Sequence, residues 1–180
     1  MKVEYLGNQE LLQLRKTAFL ASSTISSETV LQVYDWATEM RNRGECVVSG
    51  FSSKLEKGVL HFLLKGSQPI IIVLARKMYK VIPDELKEPL AQNRLLIISV
   101  STAIRQSKMT AMTRNRYICE MADNLVSPEL NANERYRIGQ KEVAPGLYAC
   151  TYSSTDTKYE QIRKINRDLG LNLRIEKVML

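Results

Sequence analysis

The chain has 180 residues, 44% hydrophobic and 25% charged, with 26 Lys and Arg against 19 Asp and Glu and a net charge of +7. That balance describes a globular protein with a sizeable core and a preference for anionic partners, and it excludes a disordered or fibrous chain. One histidine, His61, and three scattered cysteines, Cys46, Cys119 and Cys150, provide no ligand spacing for a structural metal and no disulfide framework, so neither metal nor cofactor is expected.

The amino terminus, MKVEYLGNQELLQLRK (1–16), is too polar for a secretory signal. PIIIVLA (69–75) and LLIISV (95–100) fall far short of the ~20 residues a membrane helix needs. A cytoplasmic address with no membrane partner is the expectation. KTAFLASS (16–23) reads as the first strand. SSETVLQVYDWATEMRNRG (26–44) reads as a helix capped by Ser26 or Ser27, with Val30, Val33, Tyr34, Ala37 and Met40 at helical spacing and Gly44 as its stop. ECVVSG (45–50) is the second strand. SSKLEKGVLHFLLKG (52–66) is the second helix, with Leu55, Val59, Phe62 and Leu63 on one face and His61 opposite. PIIIVLA is a third strand, aliphatic throughout as a strand covered on both faces should be. A short helix is expected after Pro83, then a fourth strand in RLLIISV (94–100) and a polar loop through Lys108. AMTRNRYICEMADNLV (111–126) reads as a helix entering a short fifth strand.

Strands alternating with amphipathic helices predict a parallel sheet covered on both faces, over residues 1–127. A polar connection follows at 128–146. LYACTYSS (147–154), DTKYEQIRKINRDLG (156–170) and NLRIEKVML (172–180) read as a strand-helix-strand extension, which either joins the sheet or forms an appendage.

Ligands of an open parallel sheet bind at the carboxyl ends of its strands. Small polar residues gather there: Ser22 and Ser23 after the first strand, Ser49, Gly50, Ser52 and Ser53 after the second, Ser99 and Ser101 after the fourth. Hydroxyls and N–H groups at helix starts suit a phosphate, and the same residue types serve as ordinary turn and cap residues. Neither GxGxxG nor a P-loop is present. Arg114 and Arg116 fall at the apparent start of the last helix, where the backbone dipole disfavours cations unless an anion offsets them. At 100° per residue Arg114 shares the sheet-facing side with Ile118 and Met121, while Arg116 points away. The offsetting charge is either a bound anion or an internal carboxylate such as Glu56 or Asp123. Arg105, Lys108 and Arg116 read as a solvated basic face, or as accessory contacts if the ligand is nucleic acid.

The order FLASS, VVSGF, EKGVLH, PIIIVLA and TRNRYICEMADNLV resembles the central domain of the DprA/Smf DNA-processing proteins over 16–126. Ser49-Gly50 and Arg114-Asn115-Arg116 carry the resemblance. It implies a three-layer, Rossmann-like, doubly wound α/β fold of the SLOG type, with a mainly parallel sheet. It also implies binding of single-stranded DNA or a nucleotide at the strand ends without catalysis, and loading of a RecA-type recombinase, often as a homodimer. On that reading Ser22, Ser23, Ser49, Gly50, Ser52, Ser53, Arg114 and Asn115 form the phosphate site, with no catalytic residue. The chain departs from the family pattern at Ala21-Ser22-Ser23, where Gly-Ser-Arg is expected, and at Lys54-Leu55-Glu56, where Gly-Ile-Asp is expected. It resembles a diverged, stand-alone version. The related LOG-type phosphoribohydrolases also carry an arginine on this helix, but their Pro-Gly-Gly-x-Gly-Thr turn is absent, and only Glu56 and Glu120 could be nominated as the catalytic carboxylate. An interaction module with a vestigial pocket is the third reading.

Overall fold

The computed structural model describes residues 3–21 and 27–126, together with the backbone of three strands further along the chain. Nine strands and four α-helices are assigned among these residues: β1 (Glu4–Gly7), β2 (Lys16–Phe19), α1 (Ser27–Arg43), β3 (Cys46–Ser49), α2 (Lys54–Leu64), β4 (Ile70–Leu74), α3 (Asp84–Ala91), β5 (Leu95–Ser99), α4 (Lys108–Met121), β6 (Asn124–Val126), β7 (Glu134–Ile138), β8 (Lys141–Glu142) and β9 (Ile175–Met179). The main sheet runs β1-β5-β4-β3-β2-β6. All its neighbours are parallel except β1, which pairs antiparallel with β5. No helix among the described residues is long and apolar enough to cross a membrane.

Alternation along the strands divides the core into two layers. Ile70, Ile72 and Leu74 of β4 pack with Val33, Ala37, Val59, Leu63 and Leu86 of α1, α2 and α3. Ile71 and Val73 face the other way, toward Ile118 of α4 and Ala122 at its C-cap. The result is the three-layer, doubly wound, Rossmann-like arrangement expected from the sequence. Trp36 stacks on Phe19 with ring centroids 5.1 Å apart, so it serves the packing of α1 on β2. Burial of such a side chain contributes about 1.5–3 kcal/mol.

Three features differ from the sequence reading. β1 was not expected; its Tyr5 hydroxyl lies 3.3 Å from that of Tyr117 on α4. α4 starts at Lys108, where Ser107 and Thr110 form a capping box, so Arg114 sits in its second turn. The expected first-turn position of Arg114 and Arg116 is therefore corrected, and the dipole imposes little penalty on either, because its effect fades beyond the first turn. Finally, the stretch 128–146 carries β7 and β8, and β7 also pairs antiparallel with β9, giving a separate sheet ordered β8-β7-β9. The strand expected at 147–154 and the helix at 156–170 lie outside the described residues, as does Cys150.

The topology places the site. The chain moves outward from β2 through β3 and β4 to β5, and α4 then returns it across the second face to β6 on the other side of β2. α4 starts near the carboxyl ends of the strands, which brings Arg114 over the turn that follows β3.

Candidate nucleic-acid interface

The turn begins at Ser49, which is fully buried, and its hydroxyl accepts the Phe51 N–H at 3.2 Å. Phe51 has φ 44°, a left-handed conformation rare for a bulky residue, and its side chain is buried in the core. Such a residue stores on the order of 1–3 kcal/mol, held in place by the packing around it. Ser53 then caps α2: its hydroxyl accepts the Glu56 N–H at 3.1 Å.

Glu56 organises the region. The residue is 2% exposed, with Oε1 accepting the Ala21 N–H, just beyond the end of β2, at 3.1 Å. Oε2 accepts the N–H groups of Ser52 at 2.7 Å and Ser53 at 3.1 Å, and the Ser52 hydroxyl at 3.2 Å. The carboxylate therefore fills, from within, the anion cradle that a helix start presents. The Ser52 and Ser53 N–H groups expected to face a ligand are committed to it.

Arg114 closes the arrangement. Its residue exposure is 4%, on the same buried face as Ile118, and both Nη1 and Nη2 donate to the Ser52 hydroxyl at 3.2 Å. Ser52 thus links the guanidinium to the Glu56 carboxylate, accepting from one and donating to the other. A Cβ at position 50 would lie 1.6 Å from Arg114 Nη1, so only glycine admits the guanidinium there. Asp123, the other internal carboxylate considered, is engaged elsewhere: it accepts the Lys16 N–H at 2.8 Å and lies 3.8 Å from Lys16 Nζ.

The structure thus brings together Gly50, Ser52, Ser53 and Arg114, with Ser49 beneath them. Asn115 is buried beside Arg114, Arg116 is half-buried, and Arg105 and Lys108 are exposed at the approach to α4. Ser22 and Ser23 lie outside the described residues. His61 is exposed in the last turn of α2, at the opposite end of that helix from the turn. No group of three or more His, Cys, Asp or Glu is placed to hold a metal among the described residues. The sequence reading missed the strained Phe51 and the three-way anchoring by Glu56. The Ser53-x-x-Glu56 spacing signals the capping box, but nothing local signals the bond to Ala21.

Residues 2–133 match the family model described as DNA recombination-mediator protein A. The chain belongs to that family. A search of curated proteins finds no match. Among solved structures, the DNA processing protein A of Helicobacter pylori, described for its single-stranded DNA binding mode, is 16% identical with a TM-score of 0.62, over 94% of this chain and 68% of that one. DprA of Streptococcus pneumoniae is 18% identical with a TM-score of 0.60, over 91% of this chain and 52% of that one. The chain therefore spans about half the length of the pneumococcal protein. The structural likeness establishes the shared fold, and the family match places the chain among DNA-processing proteins.

Proposed function

We propose that the chain binds single-stranded DNA through its phosphates at the carboxyl ends of β2, β3 and β4, with Arg114 as the central charge and no bond made or broken. The observation that carries this is the placement of Arg114: a guanidinium sheltered from solvent, set by Ser52 and admitted by Gly50 at the carboxyl end of β3, one strand from the β2–β6 switch of the sheet. A sheltered charge is screened less than an exposed one, so an arriving phosphate feels it more strongly. Arg105, Lys108 and Arg116 act as accessory contacts to a longer backbone. The family membership agrees with a DNA ligand, and the role that follows is to present the strand, in the cytoplasm, to a RecA-type recombinase.

A catalytic role is disfavoured because Glu56 is buried and all four bonds it accepts are internal, which holds it away from a substrate proton. Glu120 is exposed on α4. The same internal occupation favours one second reading, an interaction module whose anion cradle is filled by its own carboxylate.

Fluorescence anisotropy with labelled oligothymidine over a salt series decides between them, run on the wild type and Arg114→Ala. Salt-sensitive binding that Arg114→Ala reduces tenfold or more supports the DNA reading. Absence of wild-type binding at low salt rejects it in favour of the interaction module.

A further inference from the structure

The loops after β4 and β5 form one surface. The Lys77 N–H donates to the Ala103 carbonyl at 2.8 Å, and the Ser99 hydroxyl donates to the Arg76 carbonyl at 2.9 Å. Between the loops lies a cleft of about 240 Å³ lined by Glu4, Lys77, Met78, Ser99, Ser101 and Thr102. Residues 75–82 contain Arg76, Lys77 and Lys80 and no carboxylate; residues 100–109 contain Arg105 and Lys108 and again none. Among the described residues no ion pair ties down Lys77, Lys80, Arg105 or Lys108. Glu4 in the cleft lining and Glu85, near Tyr79, are carboxylates bordering the surface.

This surface also carries exposed apolar side chains: Val81 is 81% exposed, Ile104 72% and Met109 70%. Arg76 stacks over the Tyr79 ring at 4.5 Å. Cations interleaved with exposed apolar side chains, beside the half-buried Tyr79 ring under Arg76, suit a polymer that alternates phosphates with flat, weakly hydrated bases. The position fits as well. β3, β4 and β5 are successive neighbours, so the carboxyl end of β5 lies ~10 Å from that of β3, two strand spacings away.

We propose that the loops after β4 and β5 form a track that holds the continuation of a single-stranded nucleic acid beyond Arg114, with Lys77, Lys80 and Arg105 on successive phosphates. The proposal rests on the reading of Arg114 as a nucleic-acid site. An anionic membrane surface could also attract cations beside apolar side chains. The apolar residues here sit on two loops and a helix start rather than on one helix face, and Met109 belongs to the same helix as Arg114, so nucleic acid is the better fit.

The test compares oligothymidines of about 4 and about 16 nucleotides, which bracket the usual footprint of a single-strand-binding surface. Wild type, Arg114→Ala and the triple variant Lys77→Gln/Lys80→Gln/Arg105→Gln are titrated across salt, with circular dichroism checking the fold. The track predicts that the triple variant loses tenfold or more on the long oligomer and less than twofold on the short one. Its salt slope on the long oligomer should fall by ~2, at ~0.7 per phosphate contact for single strands. A triple variant that binds the long oligomer like wild type, while Arg114→Ala does not, overturns the track and leaves the Arg114 site standing. Equal losses at both lengths overturn it in favour of general charge attraction. No wild-type binding at low salt removes both readings. Phosphatidylserine vesicles that bind wild type but not the triple variant, with oligothymidine failing to compete, assign the surface to lipid instead.

Discussion

The Arg114 guanidinium occupies the space that a side chain on Gly50 would fill, with Nη1 only 1.6 Å from the position of a Cβ. Gly50→Ala must therefore displace a guanidinium that is itself enclosed. The expected result is a folded protein whose oligothymidine affinity falls about tenfold, or ~1.4 kcal/mol. Anisotropy titration checks this. Affinity equal to wild type would mean that binding does not depend on the guanidinium's position against Gly50.

Glu56 predicts a stability effect separable from binding. Glu56→Ala leaves the buried N–H of Ala21 and the half-buried N–H groups of Ser52 and Ser53 without their acceptor, and an unsatisfied buried donor costs ~1–3 kcal/mol. Glu56→Gln keeps one acceptor oxygen but turns an NH₂ toward groups that already donate. In urea denaturation the order of stability should be wild type, then Glu56→Gln, then Glu56→Ala, with the last ~1–3 kcal/mol below wild type. A loss under 1 kcal/mol for Glu56→Ala would show that the turn does not depend on this carboxylate.

Much of the fold was legible because the apolar runs of β2 to β5 are buried on both faces, and such strands stand out from the amphipathic helices between them. β1 was not, since its four residues alternate between half-buried and exposed at a sheet edge and carry almost no apolar signal. The start of α4 was obscured because its capping box uses Thr110 where the common pattern has Glu or Gln. β7 and β9 pair across about 40 residues of chain, a contact no local pattern encodes. At the site, the helical arithmetic placed Arg114 on the sheet side. What it faces depends on Ser52, 62 positions away, and on a glycine that spacing alone marks only as a turn.

Cys46 gives an alkaline signature. Burial pushes its thiol up to about 12, against an ordinary value of 9.0, with nearby Lys16 opposing the shift and Asp123 adding to it. The folded chain holds this proton more tightly than the unfolded chain does. The resulting stability is intact below pH 9 and is lost as pH rises toward 12, at ~1.4 kcal/mol per pH unit. Tyr79 and Tyr117 are shifted upward too, so the wild type is compared with Cys46→Ala. Urea midpoints should show Cys46→Ala less stable at pH 7 and the gap narrowing from pH 9 to 11. Parallel curves would place the alkaline loss elsewhere.

Ser52 separates the two roles that Arg114 could serve. Its hydroxyl accepts from both terminal nitrogens of Arg114 and donates to Glu56, so Ser52→Ala removes the link while leaving the Ser52 N–H bond to Glu56 intact. The loss of stability should be ~1.5–3 kcal/mol, that of a hydrogen bond to a charged group. If Arg114 is chiefly an internal strut, Ser52→Ala and Arg114→Ala share one interaction, and the double variant is little less stable than Arg114→Ala alone. In that case oligothymidine binding is unaffected by either change. If Arg114 serves the ligand, Ser52→Ala leaves the charge in place but less firmly oriented, so affinity falls several-fold, while Arg114→Ala removes the charge and lowers affinity by tenfold or more. A double-mutant cycle run on both urea stability and anisotropy therefore reads the structural coupling and the binding role from the same three variants.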